Sequence, residues 1–206
     1  MRWPFSFGAL AFTLFVMDDS LPSSTIPPAK PKRIFLIGPM GSGKSAVGKA
    51  LARLLKLRFI DSDTEIERRT GVDIPFIFEK EGEAGFRERE REALADLTLL
   101  DGVVLATGGG AILLPENQVW LRERGTVVYL QASIAEQVKR TQRGRHRPLL
   151  LHADPATRLA ELMAVREPIY LALAHCSVST DRRRVLDVAK HIVANLPTDE
   201  SASVSA

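Results

Sequence analysis

The sequence predicts an α/β protein in three layers, with helices covering both faces of a five-stranded parallel sheet. Two observations carry that prediction. Short β-branched or apolar runs alternate with longer segments of helical periodicity, a pattern that calls for crossover connections and therefore for parallel strands. A glycine-rich segment ending in Lys44-Ser45 also stands between the first run and the first helix, where a parallel sheet presents its ligand-binding turns. Strands are read at Arg33–Ile37, Arg58–Ile60, Val103–Thr107, Thr126–Leu130 and Cys176–Ser179, each bounded by turn or polar residues. After Lys44, the residues Val47, Ala50, Leu51, Leu54 and Leu55 recur at the spacing of one helix face. Further helices are expected over Phe86–Leu100, Ile134–Thr141, Pro155–Leu173 and Val185–Leu196.

The chain has 206 residues, 45% hydrophobic and 26% charged, which suits one soluble domain that needs no staple to form its core. A single cysteine, Cys176, excludes an internal disulfide and a multi-cysteine zinc site, and it reads as a buried strand residue. Residues 1–31 differ from the rest. An apolar run, Phe5 to Met17, is too short to span a bilayer and lacks a cleavage motif, and a Pro/Ser linker follows it. They form a dispensable extension or precede a later start at Met17. The folded body is set at 32–196, and 197–206 is a flexible tail.

Gly38-Pro39-Met40-Gly41-Ser42-Gly43-Lys44-Ser45 fits the G-x-x-x-x-G-K-[ST] pattern of a P-loop. Backbone N–H groups from Gly41, Ser42, Gly43, Lys44, Ser45 and Ala46 would cradle a phosphate chain at the start of the following helix. Lys44 would reach the β- and γ-phosphates, and the Ser45 hydroxyl would serve Mg²⁺. Asp61-Ser62-Asp63 follows the second strand and has two readings: a cap for a helix beginning near Thr64, or two carboxylates for metal and attacking hydroxyl. Gly108-Gly109-Gly110 reads either as a flexible turn or as backbone against which an acceptor lies. The run Arg87 to Glu92 looks first like a solvated helix face, with Arg87, next to Phe86, the member that could turn inward. Lys139, Arg140, Arg143, Arg145 and Arg147 cluster without acidic or aromatic neighbours, which disfavours a base-stacking surface for nucleic acid.

Taken together, GPMGSGKS at 38–45, DSD at 61–63, FRERERE from Phe86, GGG at 108–110, RPLL at 147–150 and MAVREPIY at 163–170 resemble the shikimate kinase family, over about Arg33 to Leu196. The resemblance implies a P-loop kinase fold with a mobile lid, about 141–155, and an acceptor-binding region, about 62–92. It implies transfer of the γ-phosphate of MgATP to the 3-hydroxyl of shikimate in chorismate biosynthesis. By position, Asp63 would orient or deprotonate the hydroxyl, and Asp61 would assist magnesium. Arg87 and Arg166 would grip the carboxylate, and Gly109 and Gly110 would line the pocket. Arg147 would close over the phosphates, and Arg140 would lie beside the adenine. The segment Ser179 to Val185 lacks the Asp-Thr start and later proline often seen in the family, so adenine contacts there, Arg182 included, are not carried over. The expected protein is a cytoplasmic monomer with no nucleic-acid or membrane partner. A gluconate kinase and a non-catalytic nucleotide-binding module are the alternatives, the latter expected to break Lys44, Ser45, Asp63 or Arg147.

Overall fold

A computed structural model describes residues 33–142 and 154–197. Five strands form one sheet: β1 (Arg33–Ile37), β2 (Arg58–Asp61), β3 (Val103–Ala106), β4 (Thr126–Gln131) and β5 (Cys176–Ser179), in the order β2-β3-β1-β4-β5. Every pairing is parallel. After Arg33 the central β1 is wholly apolar and buried, because both faces are covered, as a parallel sheet requires. Alternation then divides the core. Phe35, Ile37, Leu105, Val127 and Tyr129 face one apolar cluster, while Ile34, Leu36, Val104, Val128 and Leu130 face the other.

The second cluster is closed by α1 (Lys44–Leu55) and α7 (Val185–Asn195), through Val47, Leu51, Val188 and Ile192. The first is closed by α3 (Ile74–Leu97), α4 (Pro115–Arg124) and α6 (Pro155–Leu173), through Phe86, Leu94, Leu121, Met163 and Tyr170. Two shorter helices complete the described fold: α2 (Ser62–Thr70) and α5 (Ile134–Thr141). The expected three-layer α/β/α architecture is the one observed.

Several boundaries differ from the sequence reading for physical reasons. The helix expected from Phe86 begins at Ile74, where Asp73 caps it by accepting from Phe76 N at 3.0 Å and Pro75 occupies the first turn. It ends at Leu97, earlier than expected. Gly82 interrupts its dihedrals at φ 69°, so the segment before it does not continue the stripe that begins at Phe86. Helix α4 went unrecognised because only Asn117 and Leu121 of its residues are buried, which leaves no apolar stripe to detect. Cys176 lies in a strand as expected but is only half-buried, since β5 is an edge strand.

No helix among the described residues is long and apolar enough to cross a membrane. The run Phe5 to Met17 and both chain ends lie outside the described residues, as do Arg147 and the interior of the expected lid.

Candidate active site

The carboxyl ends of β1, β2 and β3 meet at one rim. Register places Leu36 and Asp61 on either side of Ala106, so the glycine-rich loop, the Asp-Ser-Asp turn and the glycine triplet leave the sheet side by side. Gly38, Gly41 and Gly43 take φ of 142°, 78° and 89°, the left-handed region that an L side chain resists, and so curl the chain into a cradle before α1. Lys44 folds back across this loop, its Nζ donating to the carbonyl oxygens of Gly38 at 2.7 Å and Pro39 at 2.8 Å. The ammonium is thereby held against the backbone of the loop.

Asp61 caps the second helix, as the first of its two readings expects, and also reaches the phosphate-loop serine. Its Oδ1 accepts from Asp63 N at 3.1 Å and caps α2, which begins at Ser62. Its Oδ2 accepts from Ser45 Oγ at 2.6 Å. A hydroxyl and a carboxylate oxygen thus sit together at the mouth of the cradle. These are hard oxygen donors, and they fit the sparse protein contribution that magnesium takes beside phosphates and water. Among the described residues no group of three or more His, Cys, Asp or Glu side chains is placed to hold a metal alone.

On the other side of the turn lies a cavity of about 400 Å³, which Asp63, Arg87, Glu90, the three glycines and Arg166 line. Asp63 is pushed up to about 6, chiefly by burial and next by the charge of Asp61, with Lys44 opposing. Its Oδ1 is buried without a hydrogen-bond partner among the described residues. Arg87 does turn inward, donating from Nη1 to Glu90 Oε2 at 2.6 Å and from Nη2 to Glu83 Oε1 at 2.9 Å. Arg166 is 5% exposed and makes no salt bridge among the described residues. Burial lowers its affinity for a proton, and Arg87 adds repulsion. Two guanidinium groups facing one cavity, one of them without a carboxylate partner among the described residues, have the chemistry to hold a small anion.

Two glycines of the triplet stand where a side chain would collide with the site. A methyl on Gly108 would lie 2.3 Å from Glu90 Oε1 and 3.0 Å from Asp63 Oδ1, and one on Gly110 would lie 2.3 Å from Arg87 Nη2. Gly108 and Gly110 leave the space that these side chains fill. Gly109 is fixed from beneath, where Tyr170 donates its hydroxyl to the Gly109 carbonyl. Tyr170 stacks on Tyr129 at 4.9 Å between ring centroids.

Glu90 is the residue that sequence reasoning missed. The solvated-face reading holds for Glu88 and Arg91, which pair with each other in the open, but Glu90 is fully buried. The signal was present: Phe86, Glu90, Ala93, Leu94 and Leu97 form one buried stripe on α3, and Glu90 occupies a core position on it. Tyr170 and the cavity wall of Ile74, Pro75 and Phe78 were likewise unassigned.

Arg140 donates to Gly41 O at 3.0 Å and to Thr180 O at 2.9 Å, joining the phosphate loop to the turn after β5. In that turn Arg182 has φ of 54°, an uncommon conformation for a residue with a Cβ.

A family model described as shikimate kinase matches residues 40–197. A shikimate kinase of Pseudomonas syringae pv. tomato is 55% identical over 165 residues, covering 80% of this chain and 96% of the relative. One from Hahella chejuensis is 50% identical over 173 residues, covering 84% and 90% respectively. Among solved structures, shikimate kinase from Acinetobacter baumannii in complex with shikimate matches with a TM-score of 0.79 at 45% identity, covering 84% of this chain and 96% of that one.

Proposed function

The chain belongs to the shikimate kinase family, and from that membership we propose how its residues carry the reaction. It is an ATP-dependent kinase that phosphorylates shikimate. The observation that carries the residue assignment is the convergence of two buried carboxylates, Asp63 and Glu90, and two inward guanidinium groups on a single cavity beside the phosphate loop.

In this reading Arg87 and Arg166 bind the shikimate carboxylate, Arg166 as the one with no carboxylate of its own and Arg87 as the one preset by Glu90 and Glu83. Gly109 and Gly110 form the floor. Asp63 accepts a hydrogen bond from the 3-hydroxyl and takes its proton as the oxygen attacks the γ-phosphorus, while the bond to the bridging oxygen breaks and ADP leaves. A carboxylate held near 6 by burial is basic enough to receive that proton and is still ionised at neutral pH. The backbone of Gly41 to Ala46 holds the phosphates, and Lys44 exchanges its loop carbonyls for phosphate oxygens as charge develops.

Ser45 and Asp61 would hold magnesium, which would supply neutralisation of phosphate charge. Arg147 is assigned to closure over the phosphates and Arg140 to the adenine side, where it already braces the loop. The same reading has a body of residues 32–196 with an acceptor-binding region at 62–92, acting as a monomer in the cytoplasm. Its lone cysteine suits a reducing compartment.

The test is a coupled assay of ADP formation with shikimate, with gluconate and with no acceptor. Turnover with shikimate alone is expected. Turnover with gluconate in its place would move the acceptor assignment, and acceptor-independent hydrolysis at the same rate would remove it.

A further inference from the structure

Helix α3 contains an ion pair that a continuous helix could not make. Arg89 donates from Nε to Glu81 Oε2 at 2.8 Å and from Nη2 to Glu81 Oε1 at 2.6 Å, a two-pronged contact between residues eight apart. In an unbroken α-helix such residues are separated by about 12 Å along the axis and turned by about 80°. The break at Gly82, with φ 69° and ψ −174°, is what brings them together. No atom lies within 4 Å of where a Gly82 side chain would begin, so glycine is required there by its dihedral angle and not by space. At Gly85 the reason is the opposite one. A methyl there would lie 2.4 Å from Glu81 Cβ, so the bare backbone of Gly85 is the seat across which Glu81 reaches Arg89.

The segment this pair restrains is the wall of the acceptor cavity. Residues 74–81 stand between two left-handed glycines, Gly71 and Gly82. Ile74, Pro75 and Phe78 line the cavity from this side, while Phe86, Arg87 and Glu90 line it from beyond the break. At its start the segment is tied to α2, Ile74 N donating to Glu67 Oε1 at 3.1 Å. At its end two contacts cross Gly82: the Phe78 and Phe86 rings, 4.9 Å between centroids, and the Glu81–Arg89 pair. Neither Glu81 nor Arg89 lines the cavity.

We propose that Glu81 and Arg89 form a latch across the Gly82 break that sets the Ile74–Phe78 wall against the Arg87 side of the cavity. Both are positioning residues for acceptor recognition. The proposal rests on the reading of this cavity as the shikimate site. It predicts that affinity for the acceptor depends on a charge pair that touches neither acceptor nor nucleotide.

The experiment measures kcat and KM for shikimate and for ATP in the full chain and in Glu81→Ala, Arg89→Ala, Gly85→Ala and the charge-reversed pair Glu81→Arg/Arg89→Glu. Amide hydrogen exchange of residues 74–81 is followed in the same proteins without substrate. Each single variant is expected to raise KM for shikimate about 3- to 5-fold, the scale of a partly exposed ion pair. The kcat and the ATP KM should stay within about twofold. Exchange over 74–81 should quicken, and the reversed pair should restore both readouts. Gly85→Ala discriminates sharply, because alanine is the better helix former and a merely local helical role would make it silent or stabilising. Single variants whose shikimate KM and 74–81 exchange match the parent would overturn the latch, as would a reversed pair no better than the singles. A parent that fails to phosphorylate shikimate at all overturns the assignment of the site instead, and the exchange data then still report on the latch.

Discussion

Arg87 Nη1 and Glu90 Oε2 are joined at 2.6 Å one helical turn apart, and the carboxylate is completely withdrawn from solvent. The second Glu90 oxygen is buried without a hydrogen-bond partner among the described residues, beside Gly108 and the equally unpartnered Asp63 Oδ1. Burial outweighs Arg87 at this position, and Glu90 is pushed up to about 7. The protein thus keeps a costly charge to orient a guanidinium, because a buried ion pair commonly gains less than its desolvation costs.

That cost gives a pH signature. In the unfolded chain Glu90 releases its proton near 4.5, while the folded protein retains it to about 7. The folded state therefore binds more protons across this window, and the Glu90 contribution to stability is present below it and is lost as pH rises through it. Glu90→Gln should remove that slope. Urea unfolding at pH 5 and pH 8 is expected to show the variant gaining on the parent by on the order of 2 kcal/mol at the higher pH. An unchanged difference between the two would mean that Glu90 ionises as an ordinary surface carboxylate.

Much of this site was legible in the sequence because its parts are periodic or conformationally forced. The cradle declares itself through glycines that must take positive φ, and the body of the fold through strand runs whose bounds differ by at most one residue from those observed. Glu90 was obscured by its neighbours: amid RERERE the charge pattern outweighs the apolar stripe unless Phe86, Ala93 and Leu97 are counted along with it. The side chains for which Gly108 and Gly110 make room could not be read at all. Which side chain a glycine makes room for is decided by chain segments about twenty to forty-five residues away, and only the packed structure shows them.

Lys44 and Asp63 should separate in kinetics. Lys44→Ala is expected to lower kcat by about 10²-fold or more, through lost stabilisation of the transferring phosphoryl group. Asp63→Asn should lower kcat comparably while leaving the nucleotide Kd within about twofold, since its cavity lies on the acceptor side of the turn. Titration calorimetry with a non-hydrolysable nucleotide checks this. A large loss of nucleotide affinity in Asp63→Asn would place its carboxylate on the metal.

His175 makes a separate, structural prediction. Its backbone N donates to Val127 O at 2.9 Å, and its Nδ1 accepts from Val127 N at 2.9 Å, so the imidazole supplies the ladder partner just before β5 begins. Burial, followed by the charge of Arg122, lowers the pKa of this histidine below its ordinary 6.5. Its contribution is therefore present above about 6.5 and is lost as pH falls below it, when Nδ1 takes a proton and can no longer accept. His175→Ala should cost about 1–2 kcal/mol at pH 8 by stranding the Val127 N–H. The cost should shrink toward pH 5, and an equal cost at both would show that the imidazole acts by packing alone.

Gly110 gives the most direct test of the cavity. A methyl there would meet Arg87 Nη2 at 2.3 Å, Cζ at 2.5 Å and Nη1 at 2.5 Å. Three atoms of one guanidinium cannot share that space, and because a long side chain yields before backbone does, Arg87 will move and the fold will stay. The displaced group leaves Glu90, so two arguments meet in one substitution. Gly110→Ala should raise the shikimate KM by about tenfold or more, close to the loss expected for Arg87→Ala, with thermal stability falling by only a few degrees. The double variant Gly110→Ala/Arg87→Ala should be no worse than Arg87→Ala, since the methyl then has no guanidinium to displace. Additive losses in the double variant would mean that Gly110 acts on the acceptor through its own backbone, and that the space it leaves for Arg87 is incidental.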